Sequence, residues 1–210
     1  MTWLGSKKAG AGELVLLGQD GARFPMVPTP TATPGLKGQG PQVGTWDDKG
    51  LLYVLAVVNL VTAAVHADTL GCPADAKRKA GKSKNRRLTG AFAAHLRHAG
   101  RVYPKDRHRG VVLVIDNAPW HAGQPVDDAL RDNPQLELYR LPSYSPQLNP
   151  IERFWRLLRR RATHNRLFDS LADLKRSLRN SLCYFQAVRA RVASLIEKRF
   201  RRKATEPVAS

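Results

Sequence analysis

Acidic residues are scarce in this sequence of 210 residues. Seventeen Asp and Glu stand against 35 Lys and Arg, so the formal net charge at pH 7 is +18 and the sequence pI is near 10.7. Because a strongly basic protein attracts polyanions and repels cationic ligands, a nucleic acid is the expected partner.

Cysteine and long apolar runs are also scarce. Cys72 and Cys183 lie 111 positions apart with no CxxC spacing, which excludes a cystine framework and a cysteine-based structural zinc pattern. The longest apolar run, Leu51–Val65, has fifteen residues and contains Asn59, whereas a bilayer-spanning helix needs about 20. We therefore expect no membrane segment and predict a cytoplasmic, nucleoid-associated protein.

The first half of the chain has strand-like runs and then a helical period. The apolar run Leu14–Leu17 predicts a strand, with Asp20 in the loop that follows it. The run Leu51–Val65 predicts a buried strand. Residues 47–50 (DDKG) resemble a hairpin turn after a β-rich stretch at 42–46, giving an antiparallel meander. The apolar spacing of Leu88–His98 predicts a helix that Gly100 would end.

The second half alternates strands and helices. Val111–Ile115 is a continuous apolar run typical of a central strand covered on both faces. A helix over Gln124–Asn133, a strand over Leu136–Leu141 and helices beyond Asn149 follow. This order predicts an α/β fold.

Three acids stand out by position. Asp20 and Asp116 follow apolar strands, and Glu152 lies where a helix begins. Carboxylates past strand ends lie where α/β sheets open their ligand crevice. Two like charges about 4 Å apart repel by about 4 kcal/mol at an effective dielectric of 20, and a divalent cation removes that cost. Carboxylate oxygens without His or Cys ligands suit Mg²⁺ or Mn²⁺, which bridge to phosphate.

Two segments carry a family resemblance. VIDNAPWH, which contains Asp116, and LPSYSPQLNPIERFW, at residues 141–155, look like the second and third signature blocks of DDE transposases. They are most similar to the bacterial insertion-sequence-630 family of the mariner-like superfamily. The resemblance implies that Asp116 and Glu152, with 35 residues between them, are metal ligands, and that Asp20 is the first ligand. Asp47 and Asp48 are fallback candidates for that first position.

The resemblance also implies a fold and a reaction. The fold would be ribonuclease-H-like, a mixed five-stranded sheet flanked by helices, with a C-terminal helical extension. The reaction would be metal-dependent cleavage at transposon ends and transfer of the 3′-hydroxyl to target DNA. Asp20, Asp116 and Glu152 would hold two Mg²⁺ ions, with Mn²⁺ as a substitute.

Domain boundaries follow from the same resemblance and from composition. We predict a disordered N-terminus at 1–12, the catalytic domain at 13–165, a basic helical extension at 166–203 and a disordered tail at 204–210. Family members carry a helix-turn-helix region ahead of the catalytic region, and here about a dozen residues precede the first strand. Either another chain supplies that region, or the reading frame is truncated or split.

Each candidate has a structural alternative. Asn149-Pro150 before Glu152 is a helix start, so Glu152 could bond back to the backbone as a capping residue. Asp116 could belong to an ordinary turn. Asn117, His121 and Asn149 are expected to order the cleft or to contact phosphate, and His121 could equally be a packed core histidine.

Basic residues concentrate in two regions. Seven of the eleven residues from 77 to 87 are Lys or Arg, which predicts a solvated, mobile loop that contacts phosphate. Sixteen more lie between 153 and 203, among apolar residues that would form core or a homodimer seam. The predicted double-stranded-DNA contacts are Lys77, Arg78, Lys79, Lys82, Lys84, Arg86, Arg87, Arg156, Arg159 and Arg160.

Two other functions compete with transposition. A decayed or repurposed transposase fragment would bind DNA without cutting it, and a stand-alone ribonuclease-H-like nuclease would cut without strand transfer.

Overall fold

The computed structural model describes residues 14–26, 50–72, 84–142 and 148–204. The predicted strand at 42–46, the turn at 47–50 apart from Gly50, and both predicted disordered ends apart from residue 204 lie outside these ranges. No helix in the described ranges is both long and apolar enough to cross a membrane.

Five strands and five α-helices make up the described chain. The strands are β1 Leu14–Pro25, β2 Leu51–Asn59, β3 Val65–Cys72, β4 Gly110–Ile115 and β5 Leu136–Arg140. The helices are α1 Lys84–Val102, α2 Gln124–Asp132, α3 Glu152–Ala162, α4 Leu171–Ala187 and α5 Arg189–Ala204, with a short 3₁₀ turn at Pro119–His121.

The strands form one mixed sheet in the order β3-β2-β1-β4-β5. β1 pairs antiparallel with β2 and parallel with β4, and β4 pairs parallel with β5. The predicted order of elements from α1 to α3 is confirmed. An antiparallel meander is present, but β1, β2 and β3 form it; the predicted meander had its second strand at 42–46, outside the described residues.

Helices cover both faces of the sheet and bury two apolar cores. One core lies under α1 and α2 and includes Leu17, Phe92 and Leu113. The other lies under α3 and α4 and includes Phe24 and Trp155. Since α4 contributes Leu174, Leu178, Leu182 and Phe185 to this second core, it covers the sheet directly.

Two strand predictions were wrong in extent. β1 runs on to Pro25, so Asp20 lies within a strand, paired with Ala56, and does not enter a loop. The segment 51–65 is not one strand: Asn59 ends β2, a turn follows at 60–64, and Val65 is the first residue of β3. Oδ1 of Asn59 accepts hydrogen bonds from the backbone N–H groups of Val61 and Thr62, which closes the β2–β3 turn.

The first helix is longer than predicted at both ends. Gly100 does not end it, because α1 continues to Val102 and a side chain at position 100 would clash with Asn133. The absence of a side chain at Gly100 therefore lets Asn133, the residue that follows α2, pack closely against α1. Lys84–Arg87, predicted as mobile loop, form the first turn of α1, while the rest of that loop lies outside the described residues.

Candidate active site

The strand register brings Asp20 and Asp116 to one level of the sheet. Gly18 of β1 pairs with Val114 of β4, so two residues further along each strand the chain reaches Asp20 and Asp116. Side chains alternate between faces, and Ile115 belongs to the core under α1. Asp116 therefore faces the α3 side of the sheet, as Asp20 does.

Asp20 is held by two hydrogen bonds. The backbone N–H of Gly21 donates to Oδ1 at 2.7 Å, and the indole Nε1–H of Trp155 donates to Oδ2 at 2.9 Å. Trp155 is 1% exposed in the core, so its ring fixes the carboxylate from a rigid position. No pattern in the sequence indicated that Trp155 would be a hydrogen-bond partner of Asp20.

Glu152 reaches the same place because α3 begins beside β1. Asn149 is 3% exposed; its Nδ2 donates to the carbonyl of Gln19 at 3.1 Å, and its Oδ1 accepts from the backbone N–H of Ile151 at 3.3 Å. These bonds tie the start of α3 to the residue before Asp20. The predicted role of Asn149 in ordering the cleft fits this arrangement.

The capping alternative for Glu152 is not what the structure shows. α3 starts at Glu152, one turn before Trp155 on the same helix face, and not at Pro150. Among the described residues, no hydrogen bond engages the Glu152 carboxylate.

Asp116 is anchored by its own loop. Its Oδ1 accepts from the backbone N–H of Ala118 at 3.0 Å and lies 3.1 Å from Nδ1 of His121. His121 is fully buried and stacks near Phe92 and Trp120. Its backbone carbonyl accepts from Nη2 of Arg140 at 2.9 Å, so β5 supports the same loop.

The pKa values of the two aspartates are pushed apart. Burial is the main cause that raises the pKa of Asp20 to about 6; the charges of Asp116 and Glu152 act in the same direction, and the hydrogen bonds from Gly21 and Trp155 act against it. The hydrogen bond from His121 lowers the pKa of Asp116 below its ordinary value. Both other acids lie near enough to Asp20 for their charges to act on it, so the three predicted carboxylates lie in one region of the structure.

Of the remaining predicted side chains, some are buried or packed within the protein and others are exposed. His121 is a buried hydrogen-bonding residue and cannot reach phosphate, while Asn117 is exposed and its Nδ2 donates to the carbonyl of Leu141 at 2.6 Å. Arg159 lies over the ring of Phe24, 5.4 Å from its centroid. Asp47, Asp48, Lys77, Arg78, Lys79 and Lys82 lie outside the described residues.

A basic cleft lies on the outer side of α3. Its volume is about 390 Å³ and it is lined by Arg153, Arg156, Leu157, Arg160 and Leu195. Nη1 of Arg153 donates to the carbonyl of Leu195 at 3.2 Å, which joins α3 to α5. Arg156 and Arg160 are exposed and one turn apart, a spacing suited to successive phosphates.

A mixed five-stranded sheet with three acids in this region defines a ribonuclease-H-like domain. Two solved structures share the fold. The catalytic domain of Mos1 mariner transposase has a TM-score of 0.53 and 17% identity, and the match covers 87% of this chain and 79% of the other. The Mos1 paired-end complex with Mg has a TM-score of 0.57 and 19% identity, and the match covers 88% of this chain and 54% of the other. The predicted fold class is confirmed.

A match to a family model gives a narrower class of protein than the fold does. Residues 74–175, which include Asp116 and Glu152 but not Asp20, match the family described as DDE superfamily endonuclease. This segment is similar to the DDE superfamily endonucleases, the same similarity that the two signature blocks indicate.

Two curated proteins are similar to parts of the chain. An uncharacterized protein of Sinorhizobium fredii (y4pE/y4sA) is 35% identical over 86 residues, 41% of this chain and 59% of that protein. An uncharacterized 39 kDa protein of insertion element IS630 from Shigella sonnei is 30% identical over 74 residues, 35% of this chain and 22% of that protein. The chain thus matches less than two thirds of either relative's length.

Proposed function

We propose that this chain is the catalytic part of a DDE transposase. It would cut DNA at transposon ends in a metal-dependent reaction and transfer the freed 3′-hydroxyl to target DNA. One observation carries the proposal: Asp20 is level with Asp116 across the β1–β4 pair and accepts a hydrogen bond from Trp155 on the helix that begins at Glu152. The family match over residues 74–175 and the insertion-element relative support it.

The three carboxylates fit a divalent cation. Asp20 is buried and costs free energy when ionised beside two other acids, a cost that a cation removes. Asp20, Asp116 and Glu152 supply only oxygen donors, the set that Mg²⁺ and Mn²⁺ prefer, and Mos1 structures with Mg and with Mn share this fold. We propose two ions; when bound, they would activate the attacking oxygen and stabilise the leaving oxygen of a phosphoryl transfer.

The chain's own residues orient this site. Gly21 and Trp155 fix the two oxygens of Asp20, and His121 with Ala118 holds Asp116 in its ionised form. Asn149 positions the start of α3, and with it Glu152. No protein nucleophile is required, because water or a 3′-hydroxyl attacks the phosphorus directly.

Basic residues would hold the DNA. Arg156 and Arg160 beside the cleft on α3 are exposed, and Lys84, Arg86 and Arg87 begin α1. We propose that double-stranded DNA, both transposon ends and target, is the partner, contacted mainly through its phosphates. We further propose that the chain forms a homodimer, that a separate helix-turn-helix chain is a partner, and that the protein is located at the nucleoid.

A strand-transfer assay tests this function. The purified chain is mixed with Mg²⁺ or Mn²⁺, a duplex carrying transposon-end DNA, and a supercoiled plasmid. Insertion of the duplex into the plasmid is the expected result. Nicking without insertion would indicate a stand-alone nuclease, and retardation of the duplex without cleavage would indicate a non-catalytic DNA binder; either contradicts the proposal.

A further inference from the structure

Outside the acidic site, a second cluster of metal-ligating side chains lies between β3 and α1. Nδ1 of His95 lies 2.5 Å from Oδ2 of Asp68, and Nδ1 of His98 lies 3.0 Å from each Asp68 oxygen. One ligand atom from each of the three residues lies within 4.8 Å of the others. Among the described residues, this is the one group of three such side chains so closely spaced.

The fold, and not a local motif, assembles this cluster. Asp68 pairs with Leu55, whose side chain belongs to the core under α1, so Asp68 also faces α1. His95 and His98 are three residues apart on α1 and therefore share one helix face. The imidazole of His66, two residues before Asp68 on the same strand face, lies 6.5 Å from that of His98.

The donor set differs from that of the acidic site. Two imidazole nitrogens and one carboxylate oxygen form a typical ligand set for Zn²⁺, with a fourth position left for water or another ligand. Mg²⁺ prefers oxygen donors alone. The two clusters should therefore select different cations.

The site is accessible and nearly at coordination distance. It lines a cleft of about 300 Å³, and the side chains of Asp68 and His98 are 43% and 34% exposed while that of His95 is 1% exposed. Two ligands about 2 Å from a tetrahedral zinc lie roughly 3.3 Å apart, so separations of 2.5 and 3.0 Å need to widen by less than an ångström. Rotation of the two exposed side chains can supply this change while His95 stays fixed.

We propose that Asp68, His95 and His98 form a zinc site that ties α1 to β3. β3 is an edge strand of the sheet, and α1 follows the basic segment that begins at residue 77. A bound ion would join this edge strand to the second half of α1, where His95 and His98 lie. The proposal does not depend on the proposed transposase function.

Cobalt titration tests this site directly. Untagged protein carrying Asp116→Asn and Glu152→Gln, which disables the acidic site, is titrated with Co²⁺ and followed by visible absorption. We expect one equivalent to produce the intense bands of a four- or five-coordinate ion with nitrogen ligands, and one equivalent of Zn²⁺ to abolish them. His98→Ala in the same background should lose the signal, whereas His108→Ala, whose imidazole lies against Pro104 outside the cluster, should keep it.

Thermal unfolding provides a second readout. Zn²⁺ at a hundredfold excess over its Kd should raise Tm by roughly 5–10 °C in the protein with both histidines, and by far less in the His98→Ala variant. Circular dichroism checks that His98→Ala, a partly exposed position, still folds. Absence of the cobalt bands, or bands and a Tm shift unchanged by His98→Ala, would show that the cluster is only a hydrogen-bonded Asp–His group.

Discussion

At the scale of single residues, the Asp20 carboxylate is the most perturbed group in the acidic site. It is buried, it lies near two other acids, and its pKa is raised to about 6. Protons and metal ions therefore compete for it near neutral pH.

The raised pKa predicts a pH-dependent stability of the metal-free protein. Because the folded state binds this proton more tightly than the unfolded state, stability should fall as pH rises from about 4 to about 6 and then level off. The loss should be about 3 kcal/mol, since one pKa unit corresponds to about 1.4 kcal/mol. Urea unfolding in EDTA at several pH values measures it.

Asp20→Asn should remove this part of the pH slope, whereas Asp169→Asn, at an exposed position, should leave it unchanged. Asp20→Asn also loses one of the two hydrogen bonds that Asp20 accepts, which lowers stability by the same amount at every pH. The pH slope of the unfolding free energy therefore separates the titration of Asp20 from this loss. An identical slope in wild type and Asp20→Asn would show that Asp20 is not perturbed.

Trp155→Phe tests the indole hydrogen bond. The variant keeps an aromatic ring in the core but loses the donor to Asp20, which we expect to cost about 1 kcal/mol and to raise the pKa of Asp20 further. Cleavage should then need a several-fold higher Mg²⁺ concentration for half-maximal rate. Trp120→Phe, which makes the same change at a ring without this bond, is the control, and an equal shift in both variants would exclude a specific role for Trp155.

At the scale of secondary-structure elements, the sequence predicted the order of elements from α1 to α3 better than the extent of the first three strands. The apolar runs identified β4 and β5 because both are short and bounded by polar residues. They could not show that β1 continues past Asp20, since Gly18, Gln19 and Asp20 are poor strand formers and the pairing of β1 with β2 overrides them. The side-chain bonds of Asn59 that divide 51–65 are likewise tertiary information.

Two glycines in α1 should respond oppositely to alanine. Gly90 is exposed with no neighbour within 4 Å of an added Cβ, so Gly90→Ala should stabilise the protein by about 0.5–1 kcal/mol through helix propensity. At Gly100 the added Cβ would meet the Asn133 side chain, so Gly100→Ala should destabilise by about 1–3 kcal/mol despite the same propensity gain.

Chemical denaturation of the two variants measures both effects. If Gly100→Ala stabilises the protein, α1 does not approach Asn133 as closely as described. That result would also favour the prediction that α1 ends at Gly100.

At the scale of the whole molecule, charge and signature blocks carried the functional prediction. Asp116 and Glu152 could be located from sequence because their blocks are long and specific. Asp20 was harder to identify, because neither signature block contains it and the family match over residues 74–175 does not reach it. In the structure a side chain at Gly21 would meet Leu55 at 2.9 Å and the ring of Trp120 at 3.3 Å, so a small residue is required.

The cluster of Asp68, His95 and His98 could not be predicted from the sequence. Asp68 and the two histidines are 27 and 30 residues apart, with no short motif to join them. Only the packing of α1 on β3 brings them together.

The net charge of +18 predicts a steep salt dependence of DNA binding. Replacing Arg156 and Arg160 by Gln should reduce the slope of log K against log salt by about 1 for each phosphate that is no longer neutralised. Arg131→Gln, on α2 and paired with Asp128 at 3.0 Å, is the control that should leave the slope nearly unchanged. Fluorescence anisotropy at several salt concentrations measures it, and equal slopes in all variants would exclude the α3 cleft as a DNA-binding surface.

Binding of Mn²⁺, followed by electron paramagnetic resonance, tests most directly whether the three acids form one metal site. We expect Asp20→Asn, Asp116→Asn and Glu152→Gln each to weaken Mn²⁺ binding at least tenfold and to abolish DNA cleavage, while DNA retention on a gel stays close to wild type. Wild-type Mn²⁺ affinity in any one of the three folded variants would remove that residue from the site and contradict a shared three-carboxylate metal centre.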